Sequence, residues 1–221
     1  MRKKFSRSIE QEFVRIRGLI SGAPGPRILN GIRFMNYFSQ AIQELRSVSI
    51  PDYDERVEDI CRELDGEAME NGGWPASFFP QILNLLSDPK FLSVRTSWNL
   101  VLFIKKNWER LSPTEVSELK NVLVAAFDKF GDFTGPHLVS KILGEHYPDE
   151  STLAILKILG KKASQPAREL VPYAFETLAK VTHDQALRDS AIRELRTFLK
   201  DDSEAVRREA TLSLNKIERT P

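Results

Sequence analysis

The chain has one cysteine, Cys61, among 221 residues, so no internal disulfide can form and a reducing compartment, with the cytoplasm as the expected location, is the natural reading. Its three histidines, His137, His146 and His183, have no second cysteine and no close spacing that would build a zinc site. Long apolar runs are missing too, and nothing approaches the roughly 20 residues of a membrane-spanning helix. The opening MRKKFSRSIEQEF is basic, but charged residues follow it where a secretory signal would have an apolar core. Charge of one sign is lacking: 32 Lys and Arg face 31 Asp and Glu, and a formal +1 gives no whole-molecule field for polyanions. P-loop, GxGxxG, HExxH, GxSxG and CxxC patterns are all absent, which closes the motif routes to nucleotide, metal and acyl-transfer chemistry. No catalytic residue, metal or cofactor is therefore expected.

What is present is a soluble, helix-forming composition, 41% hydrophobic and 29% charged. Apolar residues recur three and four apart along nearly the whole chain, and strict strand-like alternation is lacking. Pro and Gly punctuate at Gly22 to Pro26, at Ile50-Pro51 and at Asn71 to Pro75, which divides a helical cap region, 1–73, from a region 74–221. The charges divide there as well. Residues 1–50 carry nine basic and three acidic side chains, net +6; residues 51–73 carry two and nine, net −7.

A basic helix over about 26–48 packing antiparallel to an acidic one over about 54–70 is the plain account of that dipole. Glu55, Asp59, Glu63 and Glu67 fall four apart on one stripe of the acidic helix, where like charges disfavour the isolated helix. The stripe is either a solvated face or an electrostatic patch for a partner, including self-association between the basic segment of one chain and the acidic segment of another. A divalent cation would need ligands converging from loops, and no Asp-rich loop of that kind occurs.

From Trp74 onward the pattern is one of paired helices. Ser112-Pro113-Thr114-Glu115 has an N-cap serine, a first-turn proline and the glutamate of a capping box, followed by Val116, Leu119, Leu123, Phe127 and Phe130 at inward spacing. Asp88-Pro89 begins another helix in the same way, and Asp184 and Ser203 are caps for two more. Second helices starting near 88, 135, 165 and 203 give spacings averaging about 38 residues, a period that belongs to helical solenoids.

Phe198 to Ile217 carries this furthest, with Leu199, Asp201, Val206, Arg207, Ala210, Leu214 and Ile217 in sequence order. This segment resembles a HEAT repeat: an apolar pair, an Asp-containing turn, Val-Arg early in the second helix, then a small residue and spaced aliphatics. Leu85 to Ile104 is similar through Asp88, Pro89, Val94, Arg95 and Leu102, but places Trp98 where the family has a small residue. The resemblance covers about 145 residues and implies an all-α fold, a right-handed α-solenoid of about four HEAT-like helix pairs behind a divergent N-terminal cap. It also implies a structural role for the motif arginines, Arg95 and Arg207, which commonly brace adjacent turns.

Among the remaining candidates, Cys61 reads as a buried, inert thiol. His137 follows Gly135-Pro136 at a helix start and His146 ends that helix; at nine residues' separation they point roughly 180° apart and form no ligand pair. Trp98 and Trp108 cannot both face inward, so one of them is expected on the surface as a binding anchor. Trp74, Phe78 and Phe79 are expected to seal the end of the array. The expected function is that of a non-enzymatic scaffold or interaction module that binds a protein on the concave face of the second helices. Its contacts would come from Arg95, Trp98, Asn99, His137, Lys141, Arg168, Arg207 and Arg208. HEAT-like DNA glycosylases of the alkylation-repair type, which use Trp and a carboxylate, offer an alternative, but residues 157–219 carry thirteen basic and ten acidic side chains, a poor track for DNA. A small bacterial helper or immunity protein is a further alternative. Neither a membrane nor nucleic acid is the expected partner.

Overall fold

The computed structural model describes residues 50–70, 78–164 and 166–219, with the backbone alone for 50, 51 and 64–70. The chain divides into two units, 1–37 and 38–221, and every described residue lies in the second. The predicted basic helix over 26–48, Trp74 and the boundary at 73 lie outside the described residues. Those that are described form helices and no strand, so the all-α expectation holds.

In chain order the helices are α1 (Ile50–Glu70), α2 (Phe79–Ser87), the short α3 (Pro89–Leu92), α4 (Trp98–Lys106), α5 (Pro113–Ala126), α6 (Thr134–His146), α7 (Glu150–Lys162), α8 (Val171–Val181), α9 (Gln185–Thr197) and α10 (Glu204–Glu218). Single 3₁₀ turns at Trp108–Arg110, Ala167–Leu170 and Phe198–Lys200 fill the connections.

The starts of these helices are set locally. At α5 the Ser112 hydroxyl accepts the Glu115 N–H while the Glu115 carboxylate accepts the Ser112 N–H, the reciprocal box expected from the sequence. Asp88 accepts the Lys90 N–H before α3, Asp149 the Thr152 N–H before α7, and Asp184 the Ala186 and Leu187 N–H groups before α9. Ser203 caps α10 through Val206 at a longer 3.5 Å. Each satisfies donors that a helix leaves unpaired in its first turn.

Of the four helix starts expected near 88, 135, 165 and 203, helices begin close to 135 and 203, whereas the other two stretches differ. The helix opened by Asp88-Pro89 stops after one turn and restarts at Trp98. In the gap the Ser93 hydroxyl donates to the Lys90 carbonyl, and the Leu92 carbonyl accepts both the Ser97 hydroxyl and the Gly131 N–H. These bonds take up carbonyls that a continuous helix would use itself. Gly131 is needed there, because a Cβ at that position would lie 2.0 Å from the Ser93 carbonyl oxygen. Arg95 therefore sits in an exposed turn and not on a second helix. Near 165 the main helix begins only at Val171, after the turn at Ala167–Leu170.

The core is built from faces with helical spacing. α1 contributes Tyr53, Val57, Ile60 and Cys61, which confirms the buried thiol; α5 contributes Leu119, Leu123 and Ala126. Phe78, Phe79, Phe127 and Phe130 are buried, whereas Val116 is only half-buried. Among the described helices α8 is the most enclosed, with Val171, Pro172 and every residue from Ala174 to Ala179 buried. It is flanked by α6, α7, α9 and α10. α4 contacts α6, α6 contacts α8 and α8 contacts α10; α2 contacts α5, and α7 contacts α9. α1 packs on α4. Gly144 sets how closely α6 and α8 approach: a Cβ there would meet the Thr177 Cβ at 2.6 Å and the Leu178 backbone nitrogen at 2.9 Å.

Candidate functional site

A polar and aromatic strip runs across the succession of α4, α6, α8 and α10, and its members come from helical stripes. On α6 the residues are His137, Lys141 and Glu145; on α8, Tyr173, Glu176 and Lys180; on α10, Glu209 and Lys216. Spacings of three, four and seven put each set on one side of its helix. Across the helices, His137 stacks on Tyr173 with ring centroids 4.5 Å apart and planes at 23°, and the Lys216 ammonium lies 5.6 Å from the Tyr173 ring.

Two carboxylates are each shared by two lysines. Glu145 accepts Lys105 of α4 at 2.6 Å and lies 3.6 Å from Lys141; Glu176 accepts Lys180 at 2.7 Å and Lys216 at 3.3 Å. Glu176 is only 4% exposed, a buried charge held by pairing. Burial, with the neighbouring Glu176 charge, raises the Glu209 carboxyl above its ordinary value against the opposing pull of Lys216 and Arg208. Burial, reinforced by the charges of Lys141 and Lys216, lowers the proton affinity of His137. The strip thus presents an imidazole of lowered proton affinity stacked on the Tyr173 ring and bordered by ammonium groups.

A second cluster joins α5, α6 and α7. Trp108 stacks on His146 at 4.0 Å and 16° and meets Tyr147 edge-on at 5.5 Å. The Tyr147 hydroxyl donates to the Val116 carbonyl, and Lys120 reaches Asp149 at 3.0 Å and Ser151 at 2.6 Å. Burial raises the Tyr147 phenol and is the main cause of the lowered His146 proton affinity. These contacts tie three helices together and set one face of the Trp108 ring against His146.

The structure places the eight sequence candidates in different settings. It brings His137 and Lys141 together in the strip. Arg168 instead donates to the Asp201 carboxylate at 3.0 Å, while Arg207 donates to the Asp201 and Asp202 carbonyls at 2.6 and 2.9 Å. Both arginines thus hold the turn before α10. Asn99 bonds locally to the Thr96 carbonyl, Trp98 is half-buried at the start of α4, and Arg208 is exposed on α10. Both Trp98 and Trp108 are half-buried, so neither is the fully exposed anchor expected from their spacing. Along the acidic stripe of α1, Glu55 is exposed and Asp59 and Glu63 are half-buried. Arg62 bridges Asp59 and Glu58 at 3.1 Å, so that helix neutralises part of its own charge; the Glu67 side chain lies outside the description.

The sequence reading missed Tyr173, Glu176 and Lys216. One signal was available for the first two: in VPYAFETLAKV a single glutamate interrupts an otherwise apolar helix, on the same side as a tyrosine and a lysine. Among the described residues, no group of three or more His, Cys, Asp or Glu side chains is arranged to hold a metal ion, and no helix is long and apolar enough to cross a membrane. Comparison with protein-family models, with characterised proteins and with solved structures returns no match.

Proposed function

We propose that α2 to α10 form four HEAT-like helix pairs in a short solenoid, and that the protein is a non-enzymatic scaffold of a reducing, cytoplasmic compartment which binds another protein on the face of α4, α6, α8 and α10. The observation that carries this reading is the strip itself. A surface made by successive second helices offers half-exposed aromatic and charged side chains in register, the arrangement by which stacked helix pairs create an extended binding face. On α10, Arg208, the 46% exposed Leu212 and Lys216 follow one another at four-residue steps, adding an apolar contact to the charged ones. The Arg168–Asp201 contact supports the HEAT-like account, since it links the turn before α8 to the turn before α10, while Arg207 closes the turn before its own helix.

The alkylated-DNA alternative has less support, because Trp108 is occupied by His146 and carboxylates interrupt the lysines along the strip. Affinity for DNA grows with the number of phosphates neutralised, which needs an uninterrupted basic track. The test is capture of a partner from extract by the full chain, followed by alanine substitution of Trp98, Lys141, Tyr173, Arg208 and Lys216. Loss of capture in two or more variants that keep their helical spectrum is the expected result; capture retained by all five overturns the binding face.

A further inference from the structure

We propose that the exposed ends of α7 and α9, where Lys161, Lys162, Arg196 and Lys200 accompany Ile158 and Leu199, form a docking surface for an anionic lipid bilayer, attached reversibly at its interface. This surface belongs to other helices than the proposed protein-binding face, so either can stand without the other.

The two helices lie side by side in a fixed register. Lys157 of α7 reaches Glu194 of α9 at 2.7 Å, and a Cβ at Gly160 would meet the Phe198 ring at 2.5 Å, so both helices end at the same level. Leu153, Leu156 and Gly160 of α7 and Leu187, Ala191 and Leu195 of α9 turn inward. Ile158, Lys161 and Lys162, three and four residues apart, therefore share the outward side of α7. Arg193, Arg196 and Lys200 share that of α9 and the turn that ends it.

Charge is one-sided at this end. From Lys157 through Lys162 and from Arg193 through Lys200, six cations accompany one carboxylate, Glu194, which already accepts Lys157. Lys161, Lys162, Arg196 and Lys200 are exposed and make no ion pair among the described residues. The next acids in the chain, Glu169, Asp202 and Glu204, belong to the turn before α8 and to the entry into α10. Cations at a helix C-terminus complement the helix dipole, which accounts for the basic side chains alone. It does not account for Ile158 at 54% exposure and Leu199 at 40%, uncovered beside them. Basic side chains next to exposed aliphatic ones match the anionic headgroups of a bilayer and the acyl region just beneath. A nucleic acid would engage the cations and leave both aliphatic side chains in water.

The test is sedimentation of the full chain with phosphatidylcholine vesicles containing about 30% phosphatidylserine, against phosphatidylcholine alone, in about 0.1 M salt. Binding to the anionic vesicles only is expected. Each cation near such a surface strengthens binding roughly fivefold, so the double variants Lys161→Gln with Lys162→Gln and Arg196→Gln with Lys200→Gln should each weaken it about twentyfold. Ile158→Ser and Leu199→Ser, which leave the charge unchanged, should each weaken it about threefold. Lys129→Gln, at an exposed lysine following α5, should leave it unchanged. Failure to sediment with anionic vesicles, or equal sedimentation with both compositions, overturns the proposal. So does full binding by either double variant with its helical spectrum retained. Serine variants that bind as well as the unsubstituted chain overturn it too, since the site is then a general polyanion site, which a duplex oligonucleotide added as competitor would occupy.

Discussion

At the scale of single residues, small side chains and buried charges decide more than the large aromatics do. Gly144 is the clearest case. Alanine at a helix interior normally gains about 1 kcal/mol over glycine, yet here the added methyl meets the backbone nitrogen of Leu178, which cannot swing aside. Overpacking of that kind costs about 1 to 3 kcal/mol, so Gly144→Ala should lower stability in urea or thermal unfolding, against its helix propensity. A stabilised Gly144→Ala would show that α6 and α8 can separate freely. Glu176 works differently: its carboxylate is buried, and only Lys180 and Lys216 make that position tolerable. Its presence was legible as a lone acid in an apolar helix, but its partner on α10 was not, because no sequence spacing relates residues on two separate helices.

At the scale of elements, the beginnings of helices were readable and their interruptions were not. Ser112, Asp184 and Ser203 act on N–H groups two or three residues away, so their effect is written in adjacent positions. The stop after Leu92 depends on the Gly131 N–H arriving from another connection, and a run that matches the helical pattern gives no sign of it. The turn before α10 has the same dual character. Asp201 accepts the Ser203 N–H locally and the Arg168 guanidinium from across the chain, with both side chains of the ion pair largely covered. Asp201→Ala should therefore cost about 1 to 2 kcal/mol and Arg168→Ala less, with a double-mutant coupling of about 1 kcal/mol. Purely additive single-variant losses would mean that the two side chains do not act on each other.

At the scale of the whole molecule, the histidines set a direction for the response to acid. Burial, helped by Lys141 and Lys216, lowers the folded-state proton affinity of His137, and burial is the first cause of the same shift at His146. A lowered folded value means that protons bind the unfolded chain better. The contribution is complete above the unfolded midpoint near 6.5 and is lost as pH falls through the window below it. Urea midpoints measured from pH 7.5 to 5 should fall, and His137→Gln should flatten part of that decline; a midpoint that rises on acidification contradicts the burial of both rings. A second step belongs at lower pH. Asp149, pushed up by partial burial but brought down to about 2 by hydrogen bonds from Ser151, Thr152 and Lys120, loses its contribution between its ordinary value of 3.8 and that lower one.

Helical class, the caps at Ser112, Asp184 and Ser203, the inward stripe of α5 and the burial of Cys61 were determined by the sequence alone. Each depends on the 3.6-residue period or on bonds that close within a turn, and such information is local. Tertiary structure decided the rest: the break between α3 and α4, the use of Arg168 as an internal tie, the half-burial of both Trp98 and Trp108, and the strip that places His137, Tyr173 and Lys216 together. Those features need residues from separate elements to meet at a few ångströms, and only the packing of the helices brings them there.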